Sequence, residues 1–123
     1  MQILFIAGGG ALGAVMRYLV STGVHHILGR GFPYGTLAVN VVGSFLMGLL
    51  FIFMIERSNL DSEWRAFILV GFLGAFTTFS TFSMETLNLL EDGAIARALA
   101  NIFISVITCL LATWLGVILG RQL

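Results

Sequence analysis

Four apolar runs take up almost all of this 123-residue sequence, at about residues 3–24, 34–55, 64–90 and 94–120. Each is at least as long as the roughly 20 residues that a helix needs to cross the hydrocarbon core of a bilayer. The polar stretches between them are short: Gly29-Arg30-Gly31-Phe32-Pro33, which holds the only proline, then Ser58-Asn59-Leu60-Asp61-Ser62-Glu63, then Glu91-Asp92-Gly93. With 59% hydrophobic and 10% charged residues and a mean hydropathy of +1.03, the chain lacks the charge that a soluble domain of this size needs to cover its surface. The pattern predicts an all-α integral membrane fold, one four-helix domain over residues 1–123, with consecutive helices running in opposite directions. No basic segment precedes the first run, which therefore reads as a retained span and not as a cleaved signal.

The third run departs from this simple picture. As one continuous helix its 27 residues would extend about 40 Å, against a hydrocarbon core of about 30 Å. It also contains Gly74-Ala75-Phe76-Thr77-Thr78-Phe79-Ser80-Thr81-Phe82-Ser83, five hydroxyls and three phenyl rings where lipid-facing chemistry calls for Leu, Ile and Val. An unpartnered hydroxyl moved from water to an apolar medium costs roughly 2–7 kcal/mol. The segment must therefore face protein, water or an ion. Gly71, Gly74 and the hydroxyls that compete for backbone hydrogen bonds point to a helix interrupted near Gly74–Thr78. Such breaks are tolerated where the freed backbone is buried in protein or lines a cavity, and they commonly bind ions. A long, tilted, gently kinked helix is the alternative.

Three spans carry rows of polar side chains at helical spacing. Phe79 and Phe82 share a face of the third, beside Thr81, Glu85 and Asn88; Asn101, Ser105 and Thr108 run down the fourth; Asn40 and Ser44 are four apart in the second. No row contains a positive charge or a metal-ligand cluster. Hydroxyl and amide hydrogens can be offered to an anion without trapping it, and phenyl rings have a positive edge. The inventory suits a small ion better than a reaction, and no nucleophile–base pair, HExxH or phosphate loop is present. Arg17 lies deep in the first span, where a charge is expensive and calls for a partner; Glu85 is the other charge well inside a span. His25 and His26 read as solvated loop residues. Cys109, the single cysteine, excludes an intrachain disulfide and reads as a small buried hydrophobe. Trp64 and Tyr34 sit at span ends as interfacial anchors do.

Small residues at Gly9-x-x-x-Gly13, Gly10-x-x-x-Ala14 and Ser44-x-x-x-Gly48 predict close helix packing. Net charge is zero, with six Arg and no Lys, so nothing marks a nucleic-acid partner. With a cytoplasmic N-terminus, Arg57, Arg65 and Arg121 lie inside against Arg30 and Arg97 outside, which is almost no positive-inside bias. A chain that inserts both ways round is most simply used as an antiparallel homodimer.

These motifs resemble those of the Fluc or CrcB family of fluoride ion channels. The resemblance covers essentially the whole chain: its length and four spans, Gly8-Gly9-Gly10-Ala11-Leu12-Gly13-Ala14 with Arg17-Tyr18, Gly35-Thr36-Leu37-Ala38-Val39-Asn40 with Gly43-Ser44-Phe45, and Gly71 through Phe82. It implies a dual-topology, antiparallel homodimer in the bacterial inner (cell) membrane, with two fluoride pathways and a structural sodium ion on the two-fold axis. It further implies that Asn40, Phe79, Phe82, Ser80, Thr81, Glu85 and Ser105 line the fluoride pathway. Gly74 and Thr77 would give backbone carbonyls to the sodium, and Arg17 would be a vestibule or structural residue. Family members can carry a tyrosine on the fourth span; this sequence has Asn101 and Phe103 there.

Two other readings compete. A small multidrug-type, proton-coupled exporter is also short, four-helical and often of dual topology, but such transporters resemble one another in a first-span glutamate; this first span has no acid, only Arg17. A structural subunit without transport would use the polar rows as glue between helices.

Overall fold

The computed structural model describes residues 1–57 and 59–123, with the side chain of Arg57 excepted. Its helices are α1 (Gln2–Leu28), α2 (Tyr34–Ile52), α3 (Ser62–Arg65), α4 (Gly74–Phe76), α5 (Phe79–Glu91) and α6 (Ile95–Gln122). A π-helical turn, Phe53–Arg57, prolongs α2, and a π-helical stretch, Ala66–Leu73, joins α3 to α4. There is no strand among the described residues. Among the described residues, four stretches are long and apolar enough to cross a membrane: Gln2–Leu28, Tyr34–Glu56, Ser62–Glu91 and Ile95–Gln122. Much of the outer surface is apolar, as on α6 where Ile107, Leu110, Leu111 and Trp114 are all exposed. Hydrocarbon, not water, suits such a surface, and the chain is a multi-pass membrane protein.

Turn chemistry sets the ends of these helices. Gly29 (φ 85°) and Gly93 (φ 81°) adopt left-handed backbone that side chains resist, and they stop α1 and turn the chain from α5 towards α6. Because α1 runs on to Leu28, His25 and His26 occupy its last turns and not a loop, which corrects the sequence reading. His25 is half-buried, and its Nε2 accepts the backbone N–H of Gly35 at 3.1 Å. The expected link at 58–63 begins at Ser58, and the charge balance counts Arg57; Ser58 and the Arg57 side chain lie outside the described residues.

Two backbone-to-backbone contacts organise the bundle. α1 packs chiefly on the π-helical stretch and α2 chiefly on α6. A Cβ on Gly9 would collide with the carbonyl oxygen of Phe67, and one on Gly13 with that of Phe72. In the second contact, a Cβ on Gly48 would meet Thr113 O and one on Gly116 would meet Phe45 O. The small-residue motifs at Gly9 and Ser44 thus fall on helix crossings. Their partner on α6, Gly116-x-x-x-Gly120, went unread in the sequence although its spacing is the same. Between these contacts Val39 and Leu73 are wholly buried and Phe76 nearly so, at the level where the third span changes course.

Candidate functional site

Between α4 and α5 the backbone is extended for two residues, Thr77 (φ −88°, ψ 158°) and Thr78 (φ −152°, ψ 118°). Extended residues inside a membrane span strand backbone groups that a helix would have paired, and each must find a partner. Thr77 donates its N–H to Leu73 O at 3.1 Å, and its hydroxyl donates to the same oxygen at 3.0 Å. Thr78 is held by Asn40 of α2: its N–H donates to Asn40 Oδ1 at 2.8 Å, and Asn40 Nδ2 donates to Thr78 O at 3.0 Å. The Thr78 hydroxyl caps α5 by accepting the Thr81 N–H at 3.1 Å, and it donates to Thr81 Oγ1 at 3.1 Å. Ser80 Oγ lies 3.2 Å from the same hydroxyl.

Arg17 supplies the next partner. Its Nε donates to Ala75 O at 3.0 Å across 58 residues of sequence, so its guanidinium serves the end of α4, and no ion pair joins it to Glu85 among the described residues. Carbonyls at the break lose their helical donors, Gly74 O and Thr77 O among them. In a continuous helix Gly74 O would receive the Thr78 N–H and Thr77 O the Thr81 N–H. Those two N–H groups go instead to the Asn40 side chain and the Thr78 hydroxyl.

Beside the extended pair, α2, α5 and α6 border an open cavity of about 260 Å³. Asn40 and Ser44 line it from α2, Thr77 and Thr78 from the extended pair, Phe79 and Phe82 from α5, and Ser105, Val106 and Cys109 from α6. The Phe79 and Phe82 rings are 5.4 Å apart, centroid to centroid, and tilted at 43°. They differ in burial: Phe82 is 9% exposed, whereas Phe79 is 76% exposed and projects from the chain. Every polar group on this wall is a neutral hydroxyl, amide, backbone group or thiol, so the cavity can solvate a small ion by donors and ring edges but cannot neutralise its charge.

The structure gathers Asn40, Thr77, Phe79, Phe82 and Ser105 of the residues singled out from sequence around this one space. It sets the others apart. Ser80 and Thr81 are engaged with Thr78 at the start of α5, and Gly74 is exposed on the outside of the chain. Glu85 faces a second cavity of about 220 Å³, lined also by His25, Arg30, Asn88 and Asp92, and its Oε1 is buried without a hydrogen-bond partner.

Three contributors were not picked out from sequence. Thr78 bounds the interruption expected at Gly74–Thr78 but was not named among the site residues, and it holds the junction. Cys109 lines the cavity where Thr108 was expected to continue the polar row; the Thr108 hydroxyl bonds to Ile104 O instead. Spacing of four from Ser105 would have favoured Cys109. Thr86 joins Asn101 and Ser105 in a buried chain of hydrogen bonds that runs from α5 to α6.

Residues 4–117 match the protein-family profile described as "CrcB-like protein, Camphor Resistance (CrcB)". The chain is 54% identical over 121 residues to a protein of Magnetococcus marinus named "Fluoride-specific ion channel FluC", with 98% of each chain covered. A protein of the same name from Hydrogenovibrio crunogenus is 51% identical over 122 residues, covering 99% of this chain and 92% of the relative. A third, from Methylococcus capsulatus, is 54% identical over all 123 residues, and there the chain spans about half the relative's length, 54%. A profile match over nearly the whole chain, with full-length relatives at this identity, places the sequence in a family of ion channels and not of enzymes: the chain belongs to the CrcB family.

Proposed function

We propose that this chain forms a fluoride-selective channel through which fluoride leaves the cytoplasm passively. The observation that carries the reading is the neutral, donor-lined cavity beside Thr77 and Thr78, in a chain about half identical to proteins named fluoride-specific ion channels. Fluoride is small and tightly hydrated, so a pathway must replace its water with donors and still release it. Asn40 Nδ2 spends one hydrogen on Thr78 O and keeps a second for an ion. The tilted rings of Phe79 and Phe82 offer ring edges, where their quadrupole is positive. Ser105 adds a hydroxyl, while Ser80, Thr81 and Glu85 extend the path beyond the cavity. Passive flow allows acid that enters as neutral HF and dissociates inside to leave as the anion.

The reading includes an antiparallel, dual-topology homodimer in the bacterial inner membrane. Supporting it, Phe79, which lines the cavity, and Gly74 are both exposed on the single chain. It also includes a structural sodium ion on the dimer axis. The donor set fits: Gly74 O and Thr77 O have lost their helical donors, and a hard cation prefers such oxygens. When bound, the ion supplies a positive charge that lowers the cost of bringing an anion into low dielectric. The broken third span would then serve both ions, its freed carbonyls facing the axis and its second half lining the path.

Liposomes loaded with fluoride and reconstituted with the chain test the proposal. Fluoride efflux without proton coupling, and strong preference over chloride, are expected. Absence of flux, or exchange of a cationic drug for protons, overturns it.

A further inference from the structure

The Ser105 hydroxyl lines the cavity, yet its hydrogen points away from it. Ser105 Oγ donates to Asn101 Oδ1 at 3.2 Å; Asn101 Nδ2 donates to Thr86 Oγ1 at 2.8 Å; Thr86 Oγ1 donates to Phe82 O at 2.7 Å. All three side chains are buried, Asn101 most deeply at 2% exposure. The donors follow one another head to tail, from the cavity wall inward to the backbone of α5. In this direction Ser105 turns only lone pairs towards the cavity, which is the wrong end for an anion.

The chain has a second direction that leaves nothing unpaired. An asparagine amide turned through 180° keeps its shape and exchanges donor for acceptor. Thr86 would then donate to Asn101 Oδ1, and Asn101 Nδ2 would donate to Ser105 Oγ. Ser105 is thereby freed to aim its O–H into the cavity. Phe82 O gives up the Thr86 hydroxyl but keeps the helical N–H of Thr86, four residues on. Without the turn, an outward Ser105 would leave Asn101 Oδ1 buried and unsatisfied, which the interior resists.

We infer that Asn101 and Thr86 are positioning residues of the anion pathway: the Ser105–Asn101–Thr86 chain reverses when an anion occupies the cavity, turning the Ser105 hydrogen towards the ion, and returns when the ion leaves. Neither Asn101 nor Thr86 lines the cavity; both act through Ser105. The arrangement gives a donor that is present while the ion is present and withdrawn afterwards. This inference rests on the fluoride reading.

The test is a mutant cycle in the liposome efflux assay, with thermal stability in detergent measured alongside. Thr86→Val keeps the shape and removes the hydroxyl, so one end of the Asn101 amide is unpaired in either direction and the exchange of partners that carries the reversal is broken. Efflux falls about tenfold, to the level of Ser105→Ala, the order expected for one lost hydrogen bond to a charged group. Thr86→Ser restores efflux, and the double variant Thr86→Val/Ser105→Ala is no slower than Ser105→Ala alone. Additive losses in the double variant, wild-type efflux in Thr86→Val, or no rescue by Thr86→Ser overturns the inference. Wild-type efflux separates the two claims: if the unaltered protein passes no fluoride, the fluoride reading itself fails and this inference falls with it. A measurement that needs no Thr86 variant is the ¹⁵N side-chain amide resonance of Asn101, which shifts when fluoride replaces an impermeant anion at equal ionic strength. An unmoved resonance also overturns the inference.

Discussion

Asn40 and Thr78 pair as two strands of a sheet would, the side-chain amide of one taking both the N–H and the C=O of the other, at 2.8 and 3.0 Å. This one side chain allows an extended residue to persist inside a membrane span. Asn40→Asp keeps the acceptor for the Thr78 N–H and removes the donor for Thr78 O. A buried carbonyl left without a partner costs about 1–3 kcal/mol. Lower thermal stability in detergent is expected, together with about tenfold slower fluoride efflux, because the amide hydrogen that Asn40 keeps for the ion is lost as well and one hydrogen bond to a charged group is worth that order in rate. Unchanged stability would mean that another group holds Thr78.

Arg17 spends its Nε–H on a carbonyl, that of Ala75. Arg17→Met removes the Nε–H that reaches Ala75 O, and a hydrogen bond from a charged group contributes about 1.5–3 kcal/mol. Arg17→Lys keeps a charge without the planar geometry and should fall between Met and wild type. Thermal midpoints of the three proteins in one detergent check the order; Lys equal to Met would show that charge contributes nothing there.

Phe79 and Phe82 should separate by readout. Both Phe79→Ile and Phe82→Ile are expected to slow efflux sharply while the assembly stays intact on size exclusion. Only Phe82 is embedded in the fold, at 9% exposure against 76%. Replacing it should therefore also lower stability, by about 1 kcal/mol or more for a change of shape in a packed site. Wild-type efflux in both variants would reduce the rings to packing.

Gly74→Ala distinguishes contacts within the chain from contacts between chains. The nearest atom to an added Cβ is Leu69 O, at 3.8 Å, which is ordinary van der Waals distance, so one chain accommodates the methyl. If the chain assembles as the proposed dimer, its loss on cross-linking or size exclusion then reports a second subunit close to Gly74. A fully dimeric, fully stable variant would place the subunit contact elsewhere.

The four spans and two of the helix crossings were legible because each follows from a local pattern, an apolar run or small residues four apart. The extended residues lie at the end of the 74–78 stretch singled out from composition: α4 remains helical through Phe76, and the change falls on Thr77 and Thr78. Composition locates strain but not the residue that absorbs it, because that depends on Asn40, thirty-eight positions away. The same reason hid the partner of Arg17. Among polar residues, helical periodicity gave the face of α6 correctly at Asn101 and Ser105 and chose the wrong neighbour next: Thr108 lies one residue off the line that Cys109 continues. His25 was misplaced because two histidines before a glycine-rich connector look solvated, whereas the helix continues past them to Gly29.

The tight seating of α1 on the π-helical stretch has a consequence for how this protein can vary. Gly9, Gly13 and Gly71 meet opposing backbone, so no side chain can be added at those points and none is available to adjust the fit. Beyond Thr78 the situation is opposite: α5 is held through the side chains of Asn40, Thr86 and Asn101, each of which sequence change can retune. The first half of the third span is thus a rigid mount, and the second half a replaceable part on it. Substitutions that alter ion handling without threatening assembly should accumulate downstream of the two extended threonines.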